Sequence, residues 1–148
     1  MSFKPIRTYL TARLLEIDPS FEAYEAAFVN DYVGDNNFDK RFHIGYGPIA
    51  TSVENQNVTN DIATATVTLF FRGFRDNLGN PLDEAMDIAN NFRMNCLRPA
   101  FVLNQPRIKR VVCNSISSEP LPNNDQAFKC VLSFSIQMIY GLGVDLDN

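Results

Sequence analysis

The chain has 148 residues, no tryptophan, a formal charge of −4 and an apolar share of 45%. That length fits one domain, 1–148, able to bury a core without staples, and a pI near 4.9 argues against a general nucleic-acid coat, which needs a basic face. The opening MSFKPIRTYL is too polar for a secretion signal and no apolar run approaches the ~20 residues of a membrane span, so synthesis in the cytoplasm and no membrane partner are expected.

Ile6, Tyr9, Leu10, Leu14 and Ile17 recur at helical spacing, with Pro5 suited to a first turn and Asp18-Pro19 closing the run. Thr8, Thr11, Arg13 and Glu16 take the remaining positions, so an amphipathic helix laid on a sheet is predicted. In residues 21–38, Phe21, Tyr24, Ala27 and Phe28 fit a short second helix, while Asn30-Asp31 and residues 34–37 are turn chemistry. Residues 38–50 turn to a two-residue repeat, with Phe42, Ile44 and Tyr46 on one face and Arg41 and His43 on the other. Gly45, Gly47 and Pro48 interrupt it, which suits a sheet margin.

The polar run TSVENQNVTN at 51–60 reads as an exposed hairpin loop, and residues 62–72 as a clean strand. Ala63, Ala65, Val67, Leu69 and Phe71 form its apolar face, against Ile62, Thr64, Thr66, Thr68, Phe70 and Arg72. After a turn-rich connection, Asn80 is a credible N-cap with Pro81 in the first turn, and Asp83 and Glu84 suit the positive end of a helix dipole. Leu82, Ala85, Met86, Ala89, Phe92 and Cys96 then make one apolar stripe, stopped by Pro99. A third strand at 108–116 faces inward either through Ile108, Val112 and Ile116 or through Val111 and Cys113. Residues 117–126 read as a second exposed turn. The stretch AFKCVLSFSIQMIY at 127–140 is the longest strand, with Phe128, Cys130, Leu132, Phe134, Ile136, Met138 and Tyr140 on its core face. The small acidic tail 141–148 is expected to be mobile.

The predicted fold is therefore α+β: a two-layer sandwich in α-β-β-α-β-β order, with helices on one face of a largely antiparallel four-stranded sheet. The other face, carrying Ile62, Phe70, Val131 and Ile139 among threonines and serines, is half apolar and suited to meeting a partner.

Chemistry is thinly represented. His43 is the single histidine and has no Cys-His, Ser-His or His-His spacing around it. Gly45-Tyr46-Gly47 lacks the third glycine and the GK[ST] of a phosphate loop. Asp83, Glu84 and Asp87 are explained by a solvated first turn, and Cys96, Cys113 and Cys130, with no CxxC, by small buried thiols in a reducing compartment. The match of Asn57-Val58-Thr59 to a glycosylation sequon carries nothing without a secretion signal. Arg72 with Arg75, and Arg107 with Lys109 and Arg110, are either solvated charge or a surface seen by DNA or an acidic partner. No catalytic residue, cofactor or metal is predicted. A small ligand-binding or enzymatic domain stays open as a reading, but it needs a concave site that only His43 and scattered acids offer.

The segments FDKRFHIGYG before the first loop, and VTLFFRGFRD and AMDIANNFRMNCLR after it, resemble the tail terminator proteins of long-tailed bacteriophages, also called tail completion or head–tail joining proteins. The resemblance covers residues 5–142 and rests on element order, length and texture. It implies a structural virion protein forming a hexameric ring. The ring caps the head-proximal end of the tail tube, stops its polymerisation and offers a docking surface to the head–tail connector or neck proteins. DNA passes through its lumen without sequence-specific binding. The protein would assemble in the host cytoplasm and end in the virion. A head-completion or tail tube protein is the neighbouring reading. A head-to-tail ring needs two different complementary faces on each subunit. The polar tips supply candidates for contacts to self, tube or lumen: Glu54, Asn55, Gln56 and Asn57 on one; Glu119, Asn123, Asn124 and Asp125 on the other; and Arg72 and Arg75 at a strand end.

Overall fold

A computed structural model of the chain describes residues 4–23, 40–55, 58–72, 81–98, 108–121 and 124–141. Helix α1 spans Lys4–Ile17 and α2 spans Pro81–Cys96; the strands are β1 (Glu22–Ala23), β2 (Arg41–Asn55), β3 (Val58–Arg72), β4 (Ile108–Leu121) and β5 (Asn124–Gly141). They form one five-stranded sheet in the order β1-β2-β3-β5-β4, antiparallel except for the β1–β2 pair, which is parallel. The expected four-stranded, largely antiparallel sandwich in α-β-β-α-β-β order is thus corrected to a mixed sheet in α-β-β-β-α-β-β order. A two-residue strand shows no periodicity, so β1 left no alternation to read. Phe21 is not helical either: it is 3% exposed and meets Phe71 edge-on at 5.8 Å. Tyr24, Ala27 and Phe28, and the acidic tail beyond 141, lie outside the described residues.

The core lies between the two helices and one sheet face. Ala63, Ala65, Val67, Leu69 and Phe71 of β3 and Cys130, Leu132, Phe134, Ile136 and Met138 of β5 are all buried. Ile6, Tyr9, Leu10 and Leu14 from α1, and Ala85, Ala89, Phe92 and Cys96 from α2, cover them. Small residues from both layers, Ala85 and Ala89 of α2 and Ala63 and Ala65 of β3, belong to the same cluster as the large ones. Leu82 is an exception to the predicted stripe of α2, standing 43% exposed.

Register explains the ambiguity of β4. Its pairing with β5 shifts between Ile108 and Arg110 and again between Cys113 and Ser115. Each bulge resets the side-chain phase, so Ile108 and Val111 are buried while Cys113 and Ile116 pack at the margin of the core. Neither predicted alternation is the inward set; it takes members of both. In β2 a similar shift between Tyr46 and Ile49 absorbs Pro48. At the same bulge, a Cβ on Gly47 would come within 3.3 Å of Thr64, so the residue is small because β3 is close.

The strands are long. At ~3.3 Å per residue the 18 residues of β5 reach roughly 60 Å. The helices, at 1.5 Å per residue, reach only about 21 Å for the 14 residues of α1 and about 24 Å for the 16 of α2. The strands are therefore much longer than either described helix. Both runs predicted as exposed loops are corrected accordingly: β2 continues to Asn55 and β3 starts at Val58, while β4 continues to Leu121 and β5 starts at Asn124. Their polarity does not mark an absence of strand: the ladder runs through both.

The turn after α1 is fastened to the start of β2. Asp18 Oδ1 accepts from the Ser20 amide at 3.0 Å and hydroxyl at 2.6 Å, and Oδ2 meets Lys40 Nζ at 2.9 Å. Lys40 itself takes a left-handed backbone at φ 54° and accepts from the Glu22 amide at 3.0 Å. Burial opposes ionisation of Asp18, but the hydrogen bonds from Ser20 and Lys40 outweigh it and hold the carboxyl below its ordinary range. A lowered folded pKa contributes stability above the unfolded value, and that contribution is lost as pH falls through the folded one. Asp18→Asn is expected to cost about 1 kcal/mol at pH 7, after discounting for the exposed lysine. Urea denaturation of variant and wild type should converge below the folded pKa; a difference that persists in acid would mean the charge is not the source.

Candidate functional site

The register sets the two hairpin tips at opposite ends of the sheet. Val58 pairs with Gly141 and Arg72 with Ala127 across the β3–β5 ladder. The β2–β3 connection thus lies beyond the Gly141 end, and the β4–β5 connection, where Leu121 pairs with Asn124, lies beyond the Arg72 end. Glu54 and Asn55 belong to the first tip as the last residues of β2. Glu119, Asn124 and Asp125 belong to the second, with Arg72 closing β3 beside it. Gln56, Asn57, Arg75 and Asn123 lie outside the described residues. Glu119 is exposed and sits 3.8 Å from Lys129, directly opposite it in the ladder. Such an open pair adds little stability and leaves the carboxylate available at the surface.

β4 at one edge, and β2 beyond the two residues that β1 covers at the other, are poorly suited among the described residues to taking another strand. β2 carries Pro48 and two register shifts, and β4 carries Lys109, Pro120 and three. Prolines, lysines and bulges on edge strands oppose pairing with a further strand. The face away from the helices presents Thr64, Thr66, Thr68, Ser133 and Ser135, half-buried, beside Ile62 at 46% exposure. Phe70 keeps the phase of this face, as predicted, and stands apart from the core cluster, yet it is buried at 3% exposure.

The most polar buried region is the α1–α2 junction. Tyr9 donates to the carbonyls of Cys96 at 2.7 Å and Arg98 at 3.0 Å. Asn95 donates to the Arg13 carbonyl at 2.9 Å, and the Arg13 guanidinium, fully buried, lies 3.3 Å from Glu16 and over the Tyr9 ring at 5.1 Å. Burial raises the Tyr9 hydroxyl above its ordinary value, with Arg13 pulling the other way. The cluster satisfies the free carbonyls at the end of α2 and fixes the helix pair. Sequence reasoning set Arg13 among the polar positions of α1; the partner helix, not the spacing, encloses it.

The thiols are suppressed. Burial raises Cys96 well beyond the ordinary range, raises Cys113 despite a hydrogen bond to the Ser115 carbonyl, and pushes Cys130 up to about 11. A protonated thiol is a poor nucleophile. His43 is half-buried in β2 opposite Thr68, and Asp83, Glu84 and Asp87 are exposed on α2. Among the described residues no group of three His, Cys, Asp or Glu side chains is placed to hold a metal, and no helix is long and apolar enough to cross a membrane.

Asp61 is a second residue that sequence reasoning missed. It lies on the core face of β3 at 3% exposure, and its Oδ1 has no hydrogen-bond partner. The signal was present, since Asp61 shares the phase of Ala63 and Ala65. A buried oxygen without a donor costs stability, so Asp61→Val is expected to stabilise the chain by about 1–2 kcal/mol. Thermal melts check it; a lower midpoint would refute the assignment.

No family model and no curated protein matches the chain. Among solved structures, a chain from the virion of a native gene transfer agent particle is similar to it at a TM-score of 0.54 and 9% identity. The match covers 94% of this chain and 100% of that one. At that identity the likeness concerns the fold alone.

Proposed function

We propose that this chain is a structural virion protein of a phage-like particle, and specifically a ring that caps the head-proximal end of a tail tube. The observation that carries the reading is the end-to-end likeness to a chain of a gene transfer agent virion. Its shape supports the finer part. A cap must meet a tube on one side and a neck or head connector on the other, and the two polar tips lie at opposite ends of one stiff sheet. The prolines and bulges of β2 and β4 favour side-chain and tip contacts over edge pairing in closing the ring. Such a protein works by shape and self-association, turning over no substrate. DNA would pass a lumen to which an acidic chain offers little grip.

The test is to add purified chain to growing tail tube and image the product by negative stain. Tubes of fixed length bearing a terminal six-fold ring, with no growth from capped ends, are expected. Filaments of the chain itself would make it a tube subunit, and twelve-fold rings on the portal side a head-completion protein. A chain that stays monomeric with tube present, without capping it, would overturn the reading.

A further inference from the structure

The sheet face away from the helices is unevenly covered. Ile62 stands 46% exposed toward one end of β3, Thr64, Thr66 and Thr68 are half-buried along it, and Phe70 toward the other end is 3% exposed. The unbroken β3–β5 register keeps all five in one phase, and Phe70 is not part of the cluster beneath α1 and α2. Its ladder neighbours, Arg41 and Lys129, stand beside the ring on the pleated surface and do not lie across it. A large ring better hidden than the small threonines next to it has chain lying over it.

Topology says which stretch. β3 and β4 both run antiparallel to β5, so they are parallel to each other, and α2 joins them across the core face. β1 and β2 are parallel to each other and run opposite to β3. Both steps, β1 to β2 and β3 to β4, go the same way across the order β1-β2-β3-β5-β4. Crossovers between parallel strands are right-handed. Reversing the strands while keeping the sideways step moves a right-handed crossover to the opposite face. The connection from β1 to β2 therefore belongs on the face away from α2, at the end of the sheet where Arg41 pairs with Phe70.

We propose that residues 24–39, which lie outside the described residues, dock on this face over Phe70. Fully extended they would reach roughly 50 Å, far more than a return to the adjacent strand requires. Tyr24, Phe28, Val29, Tyr32, Val33 and Phe38 supply apolar cover. Glu25, Asp31, Asp35 and Asp39, with no Lys or Arg among them, suit a site flanked by Arg41 and Lys129, although Glu22 and Glu119 already lie beside those bases. The competing connection, residues 73–80, has to lead to Pro81 of α2 on the helix side. The docking does not depend on the ring reading. It leaves the Ile62 end as the part of this face that a neighbouring subunit can reach.

The chain has no tryptophan, so Phe70→Trp places a single reporter in the full chain. Its emission should be blue-shifted and shielded from acrylamide. Replacing residues 26–37 by glycine and serine should raise the quenching constant at least threefold, and no rise overturns the proposal. A rise produced instead by Phe74→Ser would assign the cover to residues 73–80, and shielding that fades on dilution would assign it to a second copy; either result overturns it. A cysteine pair tests the same placement with Phe70 intact. Thr68→Cys, combined in turn with Phe28→Cys, Tyr32→Cys or Val33→Cys, should form a disulfide within the monomer on mild oxidation, beyond any formed by the single variants. Asn91→Cys, at an exposed position of α2, should form none with the same three. Cross-links to Asn91→Cys, or none to Thr68→Cys, would refute the docking.

Discussion

Phe134→Ala is expected to destabilise the chain by about 3–5 kcal/mol, a large part of the total stability of a domain this size. Phe134 is fully buried in the middle of β5, and its neighbours in the ladder are Ala65 on β3 and Cys113 on β4. Both are small, and the ring fills the space they leave. Phe92 of α2 meets it edge-on at 5.7 Å, which adds a directed aromatic contact to the area buried. Alanine would empty a site walled on three sides by strands and a helix that are themselves tied down, so collapse into the hole is limited. Phe134→Leu keeps most of the volume and should lose about 1–2 kcal/mol. Urea denaturation of the two variants reads the difference. Equal losses would show that the ring contact, and not the volume, is what matters there.

The second large effect concerns assembly, with stability untouched. Replacing Glu54, Asn55, Gln56 and Asn57 together by serine, and in a separate variant Glu119, Asn123, Asn124 and Asp125, should each change the unfolding free energy by less than about 0.5 kcal/mol, because the core cluster is built from other residues. Each is expected to abolish one association, and not the same one. The tips stand at opposite ends of the sheet, so one variant should still cap a tube but fail to join the neck, and the other the reverse. Pull-downs with tube and neck proteins, alongside a melt of each variant, decide it. Two fully active variants would remove the tips from the function. A parallel loss of both associations in each variant would place the effect on ring closure.

Much of the fold was legible because its signals are local. The two amphipathic periods gave both helices, and the strict alternation of residues 62–72 and 127–140 gave the core face of β3 and β5. What escaped has a physical cause in each case. β1 is too short to have a period. Residues 51–60 and 117–126 are polar and carry little apolar alternation, so strands there look like loops. The inward set of β4 is scrambled by two bulges, which reverse the phase on which any alternation argument rests.

The candidate surfaces could be picked from composition, but their arrangement could not. Glu54 and Glu119 could be chosen as polar tip residues; that they belong to opposite ends follows from the β3–β5 register alone. Leu82, read as core, is exposed, and Arg13, read as surface, is buried, because α1 and α2 pack on each other as well as on the sheet.

The amino-acid sequence by itself determined which residues alternate, which recur every third or fourth position, and where prolines stop a helix, since those properties act between near neighbours along the chain. Only the tertiary structure decided how far each strand ladder runs, which side chains of α2 stand exposed, and which end of the sheet each tip occupies. Those depend on register and cover between segments tens of residues apart, and no local pattern carries that information.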